Sequence, residues 1–182
     1  MKKLFKLKQI LIILTFNVSL FSANANKILL KYGDIAQIAM PIYSFSYTFY
    51  KKDSKGSLKF AELFSISQAT VYLLKQTNEE RPKENEHGKS FPSGHTEAAF
   101  FAAAFLDYRY DISSKYLFYS MASLVAVSRV TNKQHWPHDV LGGALIGIYY
   151  NKLFTKPFKN NETVFIPFFV NKTFCIAVNK KI

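Results

Sequence analysis

The sequence predicts an all-α fold, a helical bundle of about five to six helices that ends in a short C-terminal β-hairpin. Between residues 26 and 159, apolar runs alternate with short polar breaks, and the apolar residues recur at the spacing of one helix face. Beyond Asn160 the pattern changes to two β-prone runs, TVFIPFFV and TFCIAV. We therefore expect three parts: a signal peptide over residues 1–25, a helical domain over 26–159 and a C-terminal extension over 160–182.

The first two helices are predicted from apolar runs on either side of a polar turn. Ile35–Tyr50 contains no charged residue, although Pro41 lies within it. Lys51–Lys59, with the sequence KKDSKGSLK, has the composition of a turn. Leu63–Leu74 carries apolar residues at helical spacing and is predicted to be the second helix.

Three further helices are predicted after a long loop. Gln76–Phe91 is the longest polar stretch of the chain and is typical of a loop. The helices expected beyond it are Thr96–Leu106, Tyr116–Val130 and Asp139–Leu153. Asp107–Ser114 separates the first of these from the second, and Ser113 or Ser114 is a candidate N-cap.

The C-terminal residues favour a hairpin. Asn171 and Lys172 separate the two β-prone runs, and Pro167 confines the first run to a sheet edge. Cys175, the only cysteine, is expected to be a small hydrophobic residue of the second strand. A single cysteine excludes both an intramolecular disulfide and a cluster of cysteine metal ligands.

The first 25 residues have the three regions of a secretory signal. Four lysines within the first eight residues form a basic region, and Ile10–Phe21 is an apolar core. Ala23, Asn24 and Ala25 supply the small-x-small pattern of a cleavage site. We expect export to the periplasm or to the periplasmic face of the membrane. The alternative is an uncleaved anchor in an integral inner-membrane protein.

The charge of the chain favours an anionic partner. The formal charge is +12, and removal of the four lysines of the signal leaves 20 basic and 12 acidic residues, a net charge of +8. Such an excess suits a phosphate ester, an acidic lipid surface or a nucleic acid, and export disfavours the last. No apolar run beyond residue 25 reaches the roughly 18–20 residues of a spanning helix. We therefore expect a body that is water-soluble or peripherally attached to a membrane.

Three short clusters contain the residue types that bind or transform phosphate. They are Lys75 with Arg81-Pro82, the run Pro92-Ser93-Gly94-His95, and Ser128-Arg129 followed by His135-Trp136-Pro137-His138-Asp139. In the second cluster, Ser93 is a good N-cap for the next helix, whose free N–H groups form an anion site. Gly94 lets an oxyanion approach the backbone, and His95 could supply a proton to a leaving oxygen. Taken alone, the same run also fits a capped helix with an exposed histidine.

The third cluster has the composition of a nucleophile with its orienting group. His135 and Asp139 are four residues apart and come within reach if the segment between them turns helically. An aspartate that accepts a hydrogen bond from one ring nitrogen exposes the other nitrogen as a nucleophile or base. Arg129, at the end of the preceding helix, can direct a bidentate guanidinium at the same place. The alternative for the His–Asp pair is a structural helix cap.

Together the clusters resemble the tripartite signature K-x6-R-P, P-S-G-H, S-R-x5-H-x3-D of the type 2 phosphatidic acid phosphatase superfamily. That superfamily includes lipid phosphatases, bacterial class A acid phosphatases and vanadium haloperoxidases. The second and third parts match fully at 92–95 and 128–139, and the resemblance covers roughly residues 60–153. The first part departs from the pattern, because five residues rather than six separate Lys75 from Arg81. One residue fewer turns a helical side chain by about 100°, so Lys83 or Lys89 could take the place of Lys75.

The resemblance implies a role for each of these residues. His135 attacks phosphorus and forms a phosphohistidine, while Asp139 orients its imidazole. His95 protonates the leaving alkoxide and then serves as the base for water. The groups that bind the phosphate oxygens are Arg81, Arg129, Lys75, Ser93 and Gly94. The clusters hold no group of carboxylates for a divalent metal, so we expect hydrolysis without a metal or another cofactor.

The expected function is hydrolysis of phosphate monoesters, lipid phosphates or pyrophosphates, in a bacterial-type cell envelope. Soluble monoesters stay open as substrates, because the many Phe and Tyr residues favour acyl-chain contact whereas the lack of a clear spanning run argues the other way. One alternative is a vanadium-dependent haloperoxidase, although the resemblance implies much larger chains for that activity. Another is a non-catalytic envelope protein that binds anionic lipid, favoured only by the shortened first motif. The expected partners are a phosphorylated lipid and a membrane surface, with no nucleic acid, and the oligomeric state is left open.

Overall fold

The computed structural model describes residues 23–76, 81–82 and 89–159 and two strands at 163–170 and 173–180. Its helices are α1 (Ala23–Tyr50), α2 (Ser54–Leu74), α3 (Gly94–Tyr110), α4 (Lys115–Thr131) and α5 (Pro137–Phe154). Strands β1 (Thr163–Val170) and β2 (Thr173–Lys180) pair in antiparallel register. The predicted all-α bundle is confirmed, and the two strands lie where the sequence predicts a hairpin.

Helix α3 forms the centre of the bundle and packs against each of the other four helices. From Thr96 to Leu106 every residue except Phe100 is buried, and five of these eleven positions are alanine. A helix without a polar face is stable only when it is covered on all sides. Alanine allows this because its small side chain lets neighbouring helices approach closely at the packing density of a protein core.

Helix α5 lies against α3 at a distance that only glycine permits. A Cβ at Gly147 would lie 2.7 Å from the carbonyl oxygen of Glu97, and one at Gly143 would overlap the carbonyl oxygen of Ser93. Both contacts are closer than a carbon atom tolerates, so the two glycines are required by the packing. The close approach brings the first turns of α3 and α5 together.

Two apolar clusters lie on opposite sides of α3. The cluster between α1, α3 and α4 consists mainly of small side chains: Ala36, Met40, Ala99, Ala102, Ala103, Ala122 and Val125. The cluster between α2 and α3 is aromatic, and the Phe60 ring meets the edges or faces of Phe101 and Phe105 at centroid distances of 5.4 and 4.9 Å. Because both sides of α3 are packed, the position of its N-terminus is fixed within the bundle.

Helix α2 begins at Ser54, nine residues before the predicted start at Leu63. The turn predicted for Lys51–Lys59 is therefore wrong beyond Asp53. The reason is a helix cap, because Oδ1 of Asp53 accepts the N–H of Gly56 at 2.8 Å. A Lys-, Ser- and Gly-rich segment that looks like a turn by composition becomes the first turns of a capped helix.

Helix α3 continues to Tyr110, so the break predicted to start at Asp107 is wrong for its first residues. A buried ion pair holds the additional turn: Arg109 donates from Nε and Nη2 to Asp53, each at 2.7 Å. The hydroxyl of Tyr110 donates to the same carboxylate at 2.9 Å. Ser114 occupies the predicted N-cap position of α4, although its side chain makes no capping hydrogen bond within the described part of the chain.

The predicted signal peptide lies outside the described residues up to position 22, and its cleavage site at 23–25 falls at the start of α1. The predicted loop over 76–91 is also mostly outside them. The division of the chain into three parts accordingly stays a prediction. Among the helices that the structure describes, none combines the length and the hydropathy needed to cross a membrane.

Candidate active site

The three predicted clusters meet where four helices begin or end. The residues involved are Lys75 just after α2, His95 in the first turn of α3, Arg129 in the last turn of α4, and His135 just before α5. Backbone hydrogen bonds join these ends. The N–H of Ser93 donates to the carbonyl of Asp139 at 3.0 Å, and the N–H of His135 donates to the carbonyl of Arg129 at 3.3 Å. Residues that are distant in sequence therefore form one site.

His135 and Asp139 form a buried pair at the start of α5. Nδ1 of His135 lies 3.2 Å from Oδ2 of Asp139, and the side chains are 4% and 0% exposed. The same Oδ2 accepts the backbone N–H of Trp136 at 2.8 Å, as expected for an acidic residue in the first turn of a helix. When Nδ1 donates to the carboxylate, the neutral ring carries its lone pair on Nε2. The geometry therefore leaves Nε2 as the ring nitrogen that could act as a nucleophile or base.

Ser90 contacts both residues of the His135–Asp139 pair, although the sequence analysis did not single it out. Its hydroxyl donates to Oδ2 of Asp139 and lies 3.4 Å from Nδ1 of His135, in a fully buried position. Ser90 lies near the end of the predicted loop, two positions before Pro92. Its closeness in sequence to the PSGH run is the only signal that could have drawn attention to it. In the structure it fixes the orientation of the carboxylate that orients His135.

Ser93 and Gly94 form the start of α3 as predicted. Oγ of Ser93 accepts from the backbone N–H of Thr96 at 3.5 Å and from the Thr96 hydroxyl at 3.1 Å. Both contacts use Ser93 as the acceptor, so the hydroxyl proton is the group that it can offer to an oxyanion. Among the described residues, a Cβ at Gly94 would meet the side chain of Val71 at an ordinary distance of 3.6 Å. Packing among these residues therefore does not demand a glycine at this position.

His95 and Arg129 are joined by a residue of α1. Oδ1 of Asp34 lies 2.8 Å from Nη1 of Arg129 and 3.4 Å from Nε2 of His95. Arg129 also donates from Nη2 to the carbonyl of Leu30 at 2.8 Å and from Nε to the hydroxyl of Ser128 at 3.0 Å. Asp34 stands in none of the three clusters, and its sequence neighbours gave no sign of a role. The first helix thus contributes a wall of the site.

Lys75 reaches the site despite the shortened first motif. Its Nζ donates to the carbonyls of Lys89 and Ser90 at 3.4 and 3.3 Å. Helix α2 ends at Leu74 with Lys75 as its C-cap, so the shortened segment begins beyond the helix and does not change the helical position of Lys75. Lys89 does not take its place, since Nζ of Lys89 donates to Gln76. Lys83, the other proposed substitute, lies outside the described residues.

Arg81 acts electrostatically on both histidines of the site. Burial lowers the pKa of His135 to about 4 and the pKa of His95 to about 4, and Arg81 adds to the lowering at both rings. Burial and Arg81 also lower the pKa of Lys75. Arg81 therefore lies within electrostatic reach of all three groups. At pH 7 both rings are neutral, which is the form that a nucleophile needs.

The described side chains of the site include several cations. Among the residues that the structure describes, no group of three or more His, Cys, Asp or Glu side chains is arranged to hold a metal ion. The expectation of hydrolysis without a metal stays a prediction, because the role of a metal is a question for an assay.

Comparison with known proteins gives a consistent set of relatives. The sequence pattern of the PAP2 superfamily matches residues 42–162. The Lipid A 4'-phosphatase of Helicobacter pylori (strain J99) is 28% identical over 151 residues, which cover 77% of this chain and 76% of that protein. The Lipid A 1-phosphatase of Porphyromonas gingivalis is 40% identical over 67 residues, 35% of this chain, and the match spans 15% of that longer protein. The crystal structure of Aquifex aeolicus LpxE has the same fold, with a TM-score of 0.65 at 22% identity over 74% of this chain and 87% of that one.

Proposed function

The chain belongs to the PAP2 superfamily, and we propose that it is a phosphatase that hydrolyses a lipid phosphate or pyrophosphate through a phosphohistidine at His135. One observation carries the proposal: two histidines, each with its own carboxylate, lie within reach of the same arginine. His135 is paired with Asp139, and His95 with Asp34. The superfamily predicted from the motifs is confirmed, and phosphoric monoester hydrolysis agrees with two relatives named as phosphatases.

In the first step, Nε2 of His135 attacks phosphorus on the side opposite the leaving oxygen. The N–P bond forms while the P–O bond to the alcohol breaks, and the leaving oxygen takes a proton from His95. Asp139 keeps the hydrogen bond to Nδ1 and stabilises the positive charge that develops on the ring. The lowered pKa of His135, about 4, keeps the attacking nitrogen unprotonated at neutral pH.

The proton for the leaving group depends on the substrate. His95 has a pKa of about 4, so by itself it is neutral at pH 7. A bound phosphate dianion raises that pKa, because an adjacent negative charge favours the protonated ring. A substrate that binds as the monoanion brings the proton with it, since the second pKa of a phosphate ester is about 6. In both cases the complex holds the one proton that leaves with the alcohol.

In the second step, water attacks the phosphohistidine. His95, now neutral, takes a proton from the water while the new O–P bond forms and the N–P bond breaks. His135 returns to its neutral form with the hydrogen bond to Asp139 unchanged. The proton on His95 leaves with inorganic phosphate, which restores the starting state.

The phosphate oxygens would be held by the cations and by the first turn of α3. The proposed ligands are Arg81, Arg129, Lys75, the hydroxyl of Ser93 and the backbone N–H of Gly94. Donors that are fixed before the substrate binds stabilise the charge of the transition state without reorganisation, and this is the main contribution in phosphoryl transfer. The Ser93 cap and the Arg129 contacts described above provide that rigidity.

Exposed apolar side chains next to the site support a lipid substrate. They adjoin Asp34, Lys75 and His135 in sequence, on three different parts of the fold. The residues are Ile35, Ile38, Leu73, Leu74 and Trp136. Apolar groups exposed around a functional site mark contacts with a ligand or a membrane, and tryptophan suits the membrane interface. We therefore propose that the site lies at a membrane surface, where an acyl chain can lie against these residues.

We also propose that the protein is exported. The basic, apolar and small-residue regions of positions 1–25 support a secretory signal and a periplasmic location. The net charge of +8 beyond residue 25 would attract the protein to an anionic lipid surface. Fractionation of the cells before and after a salt wash, with detection of the chain in the periplasmic fraction, tests this part of the proposal.

The function is tested by phosphate release from the purified full-length chain in the presence of EDTA. We expect release from phosphatidate in mixed micelles, slower release from 4-nitrophenyl phosphate, inhibition by vanadate and no oxidation of bromide. The variant His135→Ala should keep its circular dichroism spectrum and lose release from both substrates. No release by the folded wild-type chain contradicts the function, and full release by His135→Ala contradicts the nucleophile. A clear preference for the soluble ester contradicts the substrate class.

A further inference from the structure

We propose that Asp34 on α1 is a positioning residue of this site, whose carboxylate holds the His95 ring and the Arg129 guanidinium in the orientation that the reaction needs. The inference rests on the proposed function, because His95 and Arg129 are functional groups only if the chain is a phosphatase. Asp34 lies about sixty residues from the first of these partners, and the signature motifs do not include it.

One carboxylate oxygen contacts both partners. Oδ1 of Asp34 is the atom that lies 2.8 Å from Nη1 of Arg129 and 3.4 Å from Nε2 of His95. The Arg129 side chain is 4% exposed, whereas that of Asp34 is 52% exposed. Asp34 therefore stands at the entrance of the site and fixes a guanidinium that lies inside it.

The helical turn that carries Asp34 is shaped around Arg129. The carbonyl of Leu30, one turn earlier, accepts from Nη2 at 2.8 Å. A Cβ at Gly33 would overlap Oγ of Ser128 and Nη2 of Arg129, so the guanidinium fits here only because residue 33 is a glycine. An isolated surface ion pair contributes little and is often incidental. Here the Asp34 carboxylate, the Leu30 carbonyl and the small size of Gly33 all accommodate the same guanidinium. The contact is therefore specific and not incidental.

Asp34 does not take the place of the phosphate on Arg129. A guanidinium has five N–H donors. The contacts with Ser128, Asp34 and Leu30 use one donor each from Nε, Nη1 and Nη2. Within the described residues, the second donor of Nη1 and the second donor of Nη2 are left for an oxyanion, so Arg129 can bind the carboxylate and a phosphate together.

Asp34 also affects how readily His95 takes a proton. Burial is the largest influence on this ring and lowers its pKa; Arg129 on α4 and Arg81 before α3 lower the pKa further, and Asp34 on α1 opposes them. Without the carboxylate, the charges that act on the ring from the described part of the chain would be those of two cations. His95 would then be protonated less readily, and the leaving oxygen would lose its proton donor.

The test compares Asp34→Asn with the wild-type chain on two soluble monoesters, an alkyl phosphate and 4-nitrophenyl phosphate. An alkoxide needs a proton to leave, whereas 4-nitrophenolate is stable without one. We expect kcat/KM for the alkyl phosphate, which measures the step in which the alkoxide leaves, to fall on the order of tenfold, with a much smaller change for the nitrophenyl ester. The alkaline limb of kcat should move to lower pH. Asp34→Glu should recover most of the loss, and Lys31→Gln, which removes an exposed charge one turn earlier, should change neither rate.

Two results would overturn the proposal. If Asp34→Asn lowers the rates with both esters equally and leaves the alkaline limb of the pH profile in place, Asp34 has a structural role only. A rise in kcat/KM would mean that the carboxylate competes with phosphate. Circular dichroism checks the fold, and Asp34→Ser is measured in the same way if Asp34→Asn does not fold. Failure of the proposed function gives a different pattern, because the wild-type chain would then release no phosphate whichever residue occupies position 34.

Discussion

The two histidines of the site have contrasting surroundings. His135 is 4% exposed and faces Asp139, which is fully buried. His95 is 32% exposed and faces Asp34, which is 52% exposed. Each ring nonetheless has a pKa lowered to about 4, with burial as the main cause. One pair belongs to the interior of the bundle and the other to its surface.

This difference in depth matches the difference in proposed role. A nucleophile acts from one orientation, and Asp139 is held in place by Ser90, by the backbone N–H of Trp136 and by its position in α5. A group that gives a proton to the leaving alcohol and takes one from water must meet both, so a half-exposed position suits it. We therefore expect the buried pair to fix the orientation of the nucleophile and the exposed pair to exchange protons with the alcohol and with water.

The largest effect is expected from Asp139→Asn, which disrupts the buried pair. The amide keeps the shape of the carboxylate but cannot balance a charged ring, and its NH₂ group can favour the wrong tautomer of His135. We expect kcat to fall by about 10²–10⁴, equally for alkyl and nitrophenyl phosphates. Asp111→Asn, an exposed residue at the end of α3, is the matched control and should be fully active. Activity close to wild type in Asp139→Asn would contradict the role of the buried pair.

His95→Asn disrupts the exposed pair and should be selective. We expect a loss of about 10² in kcat/KM for an alkyl phosphate and a clearly smaller loss in kcat/KM for 4-nitrophenyl phosphate, because kcat/KM measures the first step, in which only the alkoxide needs a proton to leave. Steady-state rates for a series of esters with leaving groups of rising pKa measure this selectivity. A loss of the same size across the series would mean that His95 is not the proton donor.

Ser90→Ala removes one support of the buried pair and should have a moderate effect. The lost hydrogen bond to a carboxylate corresponds to about 1.5–3 kcal/mol, so we expect kcat to fall at least about tenfold while KM changes little. Ser120→Ala on the exposed face of α4, whose hydroxyl binds a carbonyl of its own helix, is the matched control. An unchanged kcat in Ser90→Ala would show that Asp139 is oriented without this serine.

Lys75→Met removes a proposed phosphate ligand, which should lower kcat/KM at every pH, and the smallest effect expected here is the accompanying shift of its pH dependence. Burial is the main cause of the low pKa of His135, and the positive charge of Lys75 is the next. Removal of that charge should raise the pKa, so the acid limb of kcat/KM, where protonation stops the nucleophile, should move to higher pH. Lys89→Met, whose amino group binds Gln76, should leave the limb in place. The same limb in both variants would mean that Lys75 does not act on His135.

Much of the site was predictable because its motifs are local. The PSGH run and the spacing of His135 and Asp139 depend on the first turns of helices, where sequence distance and spatial distance agree. The partners Asp34 and Ser90 were not predictable, because each contact joins residues far apart in the chain, 95 positions for Asp34 with Arg129 and 49 for Ser90 with Asp139.

The fold shows the same limit. The alanine-rich run of α3 was identified as a helix from local spacing, and the early start of α2 was missed. That start depends on Asp53, which caps α2 and binds Arg109 of α3. A composition of Lys, Ser and Gly cannot reveal a cap that is stabilised by a distant helix. Whether Lys75 reaches the site could not be predicted either, because its position depends on where α2 ends.

The central claim is a covalent phosphate on His135, and rapid-quench trapping tests it most directly. The His95→Asn variant is mixed with ³²P-labelled 4-nitrophenyl phosphate and quenched in alkali, because a phosphohistidine survives base and is destroyed by acid. Loss of the base for the second step should allow the intermediate to accumulate. We predict that the label lies on the peptide containing His135, disappears after acid treatment and is absent when His135→Ala is added to the variant. Label on another residue, or turnover without any trapped label, would contradict the account.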